Sequence, residues 1–545
     1  MQQVSAQYLQ ILQNQAQTYK VRYLAIFKGI PVRFSTGPIT QPQGRTLGYM
    51  QIPTGAGAQT TPDQGSSSFS SLNVRLVDYD QQVTALMRSY QMLNLQVTVK
   101  QGFEGMPESA YCTIATGLVQ TFKLTDHNMV WQFNLTSLMN LTQTNIFDAF
   151  ATLTAPLGAG DSTMYVDSTS GFPQSTNGVC YLFTPAGEVI SYTGITPGSF
   201  TGLGRAQLGT VAASGNAGDQ PTNLIVLEGP PLTLALQIML STGNGTNGPY
   251  DVLPACAGMA IPQNLINAQA FLTQQQQWLA GLTFRFEEST SILGTDFLEQ
   301  QIFQFSNSYP ITDNYGMINV HVYGPPMPSA ETAIVNDENM TGPPVWSDSV
   351  LGRYFFNEVQ LLYDYNFQTG NYDQSAFYED GDSQEEFGTT VTWQNGQVQS
   401  RGLRSAVAGG LAINNWAQRL LARFGGASAP VEAELMFNQR QISIGDIVPM
   451  TSDFLPDLTT GTIGVDAHLY EVIELTPDYM KGTQKLTMLD TGVMYGKKYC
   501  AITPAGFPQF QNASSYQKNW GFICTATGAT SGKMLDGSDG YYITA

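Results

Sequence analysis

Strict alternation of apolar and polar residues recurs early and late in this chain, and it commits both regions to half-buried β-sheet. Leu95, Val97 and Val99 alternate with Gln96, Thr98 and Lys100, and Trp131, Phe133 and Leu135 alternate with Gln132 and Asn134. Successive side chains of a strand point to opposite faces, so such a run buries one face and wets the other. Far downstream Val431, Ala433, Leu435 and Phe437 repeat the pattern. Leu469–Leu475 and Gln484–Leu489 then flank a Pro477–Gly482 turn as a hairpin, and Val320–Tyr323 and Phe355–Phe367 are further candidate strands.

Each strand-rich region is interrupted by one helical pattern. Val77–Leu93 carries Val83, Leu86 and Met87 on one face. Leu403–Phe424 carries Val407, Leu411, Trp416, Leu420 and Phe424 on one stripe, with Gly425-Gly426 as its stop. Between the two regions, Leu138–Phe150 reads as a connecting helix. Residues 151–225 then change character: Gly, Ser and Thr rise, and turns at Gly158–Asp161, Gly171–Pro173 and Thr196–Ser199 split short strands. Helical patterns follow. Pro230 and Pro231 open the first, at positions where a missing N–H costs nothing, and Leu232, Leu236 and Met239 form its stripe up to Gly243. Asn264–Leu279 and Thr295–Phe305 are two more. The fold class expected is mainly β with α: two antiparallel β-barrel or sandwich domains, a helical layer between them and a small inserted β module. The boundaries are an N-terminal helical segment over 1–20 (Val4, Tyr8 and Ile11 at helical spacing), β domains at 21–140 and 309–495 (with the helix 403–424), the module at 151–225, the helical layer at 226–308 and a C-terminal extension at 496–545.

Composition bounds the function. A chain of 545 residues exceeds what one core serves. Charged residues are 12 %, about half of the roughly 25 % of ordinary globular domains. Interface cores are depleted of charge, so a surface this poor in Lys and Glu suits a subunit of an assembly; secreted β-rich proteins share the composition. The 23 Lys+Arg against 42 Asp+Glu give a formal net charge of −19, and Arg205 and Arg285 are the only cations between Leu124 and Gly352. Nucleic-acid affinity rests on Lys and Arg neutralising phosphates, so specific DNA binding is not expected, although DNA passing through an acidic channel is allowed. The five cysteines, Cys112, Cys180, Cys256, Cys500 and Cys524, are scattered without a Cys-x-x-Cys. That opposes a disulfide scaffold or thiolate zinc site, and leaves buried thiols or a Cys500–Cys524 bridge as the readings. The start at Met1 and Gln2 has neither the basic nor the apolar region of a signal peptide. The longest apolar stretch, Leu224 to Leu240, is broken by Glu228, Gly229, Pro230 and Pro231, so no membrane-spanning segment is expected.

Catalytic patterns are missing from the sequence. His127, His321 and His468 lie far apart in strand-like contexts, with no His-Glu-x-x-His. Gly202-Leu203-Gly204 begins like a dinucleotide fingerprint and lacks the third glycine. Glu287-Glu288 are adjacent and point to opposite faces of a strand, which does not suit a glycosidase pair. Glu379, Asp380, Asp382, Glu385 and Glu386 crowd together, but the glycine and final glutamate of a calcium loop are misplaced, so a solvated loop is expected. The chain is therefore expected not to be an enzyme and to have no catalytic, cofactor or metal site.

Three stretches resemble proteins of phage and prophage tail modules. The run Leu95–Lys100, Gly102-Phe103-Glu104-Gly105-Met106-Pro107, Ile114–Val119 and Leu124–Leu135 is similar to the first tube-like domain of phage hub proteins. Asp167–Pro173, Glu188–Gly194 and Phe200–Gly209 resemble a small β module recurrent in tail proteins, departing from it at Leu203, where Thr or Val-Thr is more usual. Trp520–Ile523 followed by Asp536–Tyr542 resembles the ending of the same proteins. The resemblance to the tail or baseplate hub family implies two tail-tube-like domains per subunit, and a homotrimer whose six such domains adapt a sixfold tail tube to a threefold tip or spike. The implied partners are other copies of the chain, a tail tube or distal tail protein, a tape measure protein and a spike or central fibre protein. Genomic DNA would pass through unbound. The implied place is the virion's tail tip or baseplate, after assembly in the bacterial host cytoplasm. A cell-wall hydrolase, or a receptor- or carbohydrate-binding protein using Tyr372, Phe377 and Tyr378, is the alternative.

Overall fold

A computed structural model of the protein describes residues 5–13, 20–55, 57–69, 72–127, 129–136, 144–174, 180–312, 317–323, 335–349, 351–426, 429–457 and 461–490. The C-terminal extension, with Cys500, Cys524 and the Trp520 and Asp536 stretches, lies outside the described residues. The fold is mainly β with α, and it divides into two compact units. One gathers residues from 1–141, 309–356 and 422–545; the other is built from 142–308 and 357–421. Residues 357–421, drawn by the sequence reading inside the second β domain, group with the second unit.

The first unit holds two large sheets that differ in strand number and share one hairpin design. In the first, strands run in the order Arg45–Leu47, Val32–Ser35, Val21–Phe27, Gln96–Phe103, Cys112–Thr125, Val130–Thr136 and Leu72–Val77. Its edges are joined by Tyr49–Thr54. Met50 N–H donates to Ser35 (3.0 Å), Gln51 N–H to Arg75 (2.9 Å), and Val77 N–H to Tyr49 (2.8 Å). The sheet thus closes into a barrel, which removes the exposed edges that invite wrong pairing. Phe27, Phe34 and Phe133 fill it with edge-on ring contacts at 5.2–5.8 Å. The second sheet runs Val335–Asn336, Ile447–Asp457, Thr462–Asp478, Thr483–Asp490, Pro430–Met436 and Val345–Trp346. Here Val335–Trp346 is the closing segment: Val335 pairs with Met450, Met340 with Leu435 and Trp346 with Val431.

The recurrence extends to the register. In the first barrel Val119 pairs with Leu135, a bulge follows, Thr121 pairs with Asn134, and Thr125 and Val130 close the hairpin. In the second Val472 pairs with Met488, a bulge follows, Glu474 pairs with Thr487, and Asp478 and Thr483 close it. The bulge lies at the same distance from the turn in both, and a bulge fixes both register and twist. A hairpin that follows the first barrel's closing segment adds to the second sheet: Ala58–Thr61 pairs with Ser66–Phe69 on one side and, through Ala58 and Gln59, with Leu475 and Glu474 on the other.

In the second unit the small module hangs on an antiparallel neck. Leu153 N–H donates to Asp219 (2.9 Å), Gly218 N–H to Leu153 (2.8 Å) and Asn223 N–H to Ala149 (2.9 Å). Its last strand, Thr222–Gly229, outruns the expected boundary at 225 and pairs with Phe284–Glu288, so the module's sheet continues into the helical layer. Cutting at 225 would split that strand. Replacing 154–217 with a short Gly/Ser linker leaves the neck intact and adds little closure entropy. The shortened protein is expected to keep a cooperative melt, and loss of that transition in calorimetry would show that the module is part of the core.

Local expectations fail where turn chemistry overrides periodicity. The helix expected over Leu138–Phe150 is absent from its described part: Asn145–Ile146 is a strand against Ile292–Leu293. The long helix starts at Leu411, not Leu403, because Gly409 and Gly410 adopt φ of 65° and 73° and break the run. The layer helices are found at Pro231–Leu240, Ala268–Trp278 and from Gly294 onward. The helix expected over Val77–Leu93 is confined to Gln82–Ser89, its start set by Asp78, whose carboxylate accepts from Val83 and Thr84 N–H.

Candidate functional site

The charged residues are where chemistry or ligand binding would show, and the structure commits nearly all the singled-out ones to intramolecular partners. In the second unit Glu287 and Glu288 do occupy opposite faces of the Phe284–Glu288 strand. Glu288 is buried and accepts from Arg401 Nη1 at 2.7 Å, and the Arg401 guanidinium lies 5.0 Å from the Tyr365 ring centre. Burial pushes the Glu288 carboxyl up to about 7, against the pull of Arg401. On the other face Arg285 bridges Glu228 (2.7 Å) and Glu287 (2.9 Å), and Arg404 sits 3.6 Å from Glu287 while donating to the Tyr365 and Arg285 carbonyls. Two carboxylates facing apart, each held by guanidinium, make a structural knot rather than an acid–base pair.

The other two arginines singled out by sequence are also committed. Arg419 is buried, donates to the Trp278 carbonyl, and has its pKa pulled down to about 10 by burial. In the first unit Arg423 donates to Glu471 (3.1 Å) and to the Asp490 carbonyl (2.6 Å). Glu471 also accepts from the Tyr309 hydroxyl at 2.9 Å, and His321 lies 3.9 Å from the same oxygen. Burial lowers the His321 pKa and raises that of Tyr309. The group resembles a relay in composition only, since Tyr309 and Glu471 are sealed from solvent and each carboxylate oxygen already accepts a hydrogen bond. His468 sits on a strand 2.9 Å from Asp490. His127, expected in a strand, is exposed in the turn after Thr125 with φ of 56°.

The acidic cluster is not the loop expected. Glu379 ends a strand, and Asp380 caps the helix Gly381–Phe387 by accepting from Ser383 N–H at 3.0 Å. Of the three aromatics proposed for glycan binding, Phe377 is exposed (62 %). Tyr372 packs 5.2 Å from Tyr365, and the Tyr378 hydroxyl donates to Asn414 at 3.1 Å. Gly202 and Gly204 serve packing: a Cβ on either would strike Thr193 or Ser191. Cys112 and Cys256 are buried and Cys180 half-buried, all three as free thiols, and burial pushes Cys256 up to about 12.

One heavily bonded carboxylate was not singled out from sequence as a charge site. Glu188, in the small module, is fully buried and accepts from Arg205 Nε (2.9 Å) and Nη2 (2.6 Å), Ala206 N–H (3.0 Å) and Ala213 N–H (2.9 Å). Burial alone would raise its pKa, but Arg205 and the two amides outweigh it and hold the carboxyl below the usual range. The signal available in the sequence was the isolation of Arg205, one of two cations in more than two hundred residues. In the same module, Phe172 and Tyr192 each pack 4.9 Å from Phe200, and the Tyr192 hydroxyl donates to the Pro173 carbonyl.

Among the described residues no group of three His, Cys, Asp or Glu is placed to hold a metal ion, and no helix is long and apolar enough to cross a membrane. No protein-family model matches the sequence, and no curated protein does. Among solved structures, the protein is similar to the 43 kDa tail protein of prophage MuSo2 from Shewanella oneidensis, at 10 % identity over 86 % of this chain and 98 % of that one, TM-score 0.38. It is similar to a tail protein from Neisseria meningitidis at 10 % identity, over 88 % and 98 % of the two proteins, TM-score 0.35. A prophage tail protein from Listeria monocytogenes matches at 10 % identity over 86 % and 94 %, TM-score 0.35. These are loose likenesses of fold.

Proposed function

We propose that the protein is a structural, non-enzymatic component of a phage tail, acting as a trimeric hub that joins a sixfold tube to a threefold tip and lines part of the DNA conduit. The observation that carries this reading is the recurrence, twice within a single polypeptide, of a sheet bridged edge to edge by a short segment and built on the same bulged hairpin register. A ring needing six equivalent barrels is then supplied by three subunits. The low content of charged residues suits surfaces that meet other subunits. Partners of this hub are further copies of itself, a tube or distal tail protein, a tape measure protein and a spike or fibre.

For the conduit, the arginine partners matter more than net charge. Arg401, Arg404, Arg419 and Arg423, the one local concentration of cations singled out by sequence, are taken up by Glu288, Glu287 and Glu471 and by backbone carbonyls. Each phosphate contact from a free Lys or Arg would add salt-dependent affinity. Fluorescence anisotropy with labelled duplex at low salt is expected to detect no binding. Salt-sensitive duplex binding by the folded protein would overturn the passive conduit. Turnover of peptidoglycan by the purified protein would overturn the non-enzymatic reading.

A further inference from the structure

Two Asn-Gly steps stand three residues apart in one loop of the second unit, Asn244-Gly245 and Asn247-Gly248, and the structure treats them oppositely. Asn-Gly is the step most open to succinimide chemistry, because glycine leaves its own nitrogen unhindered and lets the backbone reach the required geometry. Asn247 is locked. Its Nδ2 donates to the Leu240 (2.8 Å) and Ile261 (2.6 Å) carbonyls, its Oδ1 accepts from Gln263 N–H (2.9 Å), and its own N–H donates to Asp251 (2.9 Å). Asn244 is exposed, and only its backbone N–H is bonded, to Thr242 Oγ1. Gly245 is exposed too, with φ of 66°, and its nitrogen makes no hydrogen bond. Of the two remaining Asn-Gly steps, Asn395-Gly396 runs inside the strand Thr392–Gln399, and Asn177-Gly178 lies outside the described residues.

We propose that Asn244 is a site of spontaneous deamidation in the folded protein, and that Asn247 is protected by the bonds that build the loop. The Gly245 nitrogen, losing its proton, attacks the Asn244 Cγ. A bond forms between that nitrogen and Cγ, the bond from Cγ to Nδ2 breaks, and ammonia leaves. Water then opens the succinimide at either carbonyl, giving aspartate or isoaspartate. The protein gains one negative charge at an exposed loop of an already acidic surface, and isoaspartate adds a methylene to the backbone there. No oxidant, metal or enzyme is needed. Attack at Asn247 would require its three side-chain bonds to break, each costing about a factor of five in population, so its rate in the folded protein is expected to be roughly a hundredfold lower.

The full-length protein, incubated in mildly alkaline buffer, would be sampled over time and digested for mass spectrometry with isoaspartate detection. The expected result is aspartate and isoaspartate at 244 long before any at 247, and similar rates at the two sites after unfolding in urea. An Asn244→Ser variant is expected to lose the early product at 244 while Asn247 keeps its slow rate. Equal rates at 244 and 247 in the folded protein, or a native Asn244 that reacts only after unfolding, would overturn the proposal.

Discussion

Replacing Glu188 by Gln is expected to unfold the small β module, at a cost of about 3–5 kcal/mol, the usual result of breaking a buried ion pair from one side. The substitution keeps the shape of the side chain, so the loss is electrostatic. Arg205 is left largely buried without its counter-charge, and an amide that must donate as well as accept now faces two N–H donors from Ala206 and Ala213. The wild-type pair also sets a pH dependence. Because the folded carboxyl titrates below its ordinary range, its stabilisation is complete above the ordinary carboxylate pKa and is lost as pH falls through the lower folded value. Thermal melts of the variant should therefore show the module's transition lowered at neutral pH and nearly level with wild type in strong acid. A variant that melts with wild type at neutral pH would mean the pair contributes nothing.

The second large effect tests whether the two barrels have separate cores. Phe133 and Leu486 occupy matching places in the two hairpins, opposite Phe122 and Leu475 respectively. Each is buried, in a different apolar cluster. Phe133→Ala is expected to cost about 3–5 kcal/mol and Leu486→Ala about 2–5 kcal/mol, from lost burial plus the cavity left behind. If the cores are independent, the double variant loses the sum of the two to within about 0.5 kcal/mol. A large departure from additivity in denaturant titrations would show one shared core.

What the sequence made legible follows from how local each signal is. Strands with period-two alternation, such as Val130–Thr136 and Pro430–Met436, and helices with an apolar stripe, such as Pro231–Leu240, declare themselves within a few residues. Closure of the barrels does not. Tyr49–Thr54 and Val335–Trp346 are short, irregular and without alternation, and their role depends on edges that come together from distant parts of the sequence. The Ala58–Phe69 hairpin has the same character, since its partner strand lies some four hundred residues away. Among the candidate site residues, the opposite-facing Glu287 and Glu288 were readable because strand geometry fixes them. The partners of Arg401 and Arg423 were not, because Glu288 and Glu471 are distant in sequence, and a cluster of arginines looks alike whether it is free or neutralised.

The proposed hub draws two barrels from each of three polypeptides to make a ring of six. Electron microscopy of isolated tail tips carrying a tagged copy of this protein tests it most directly. Threefold density with three tags is expected, with six barrels around one channel, alternating between the barrel that contains Phe133 and the one that contains Leu486. Six copies of the protein per tip, a single copy, or density without a threefold axis would contradict it.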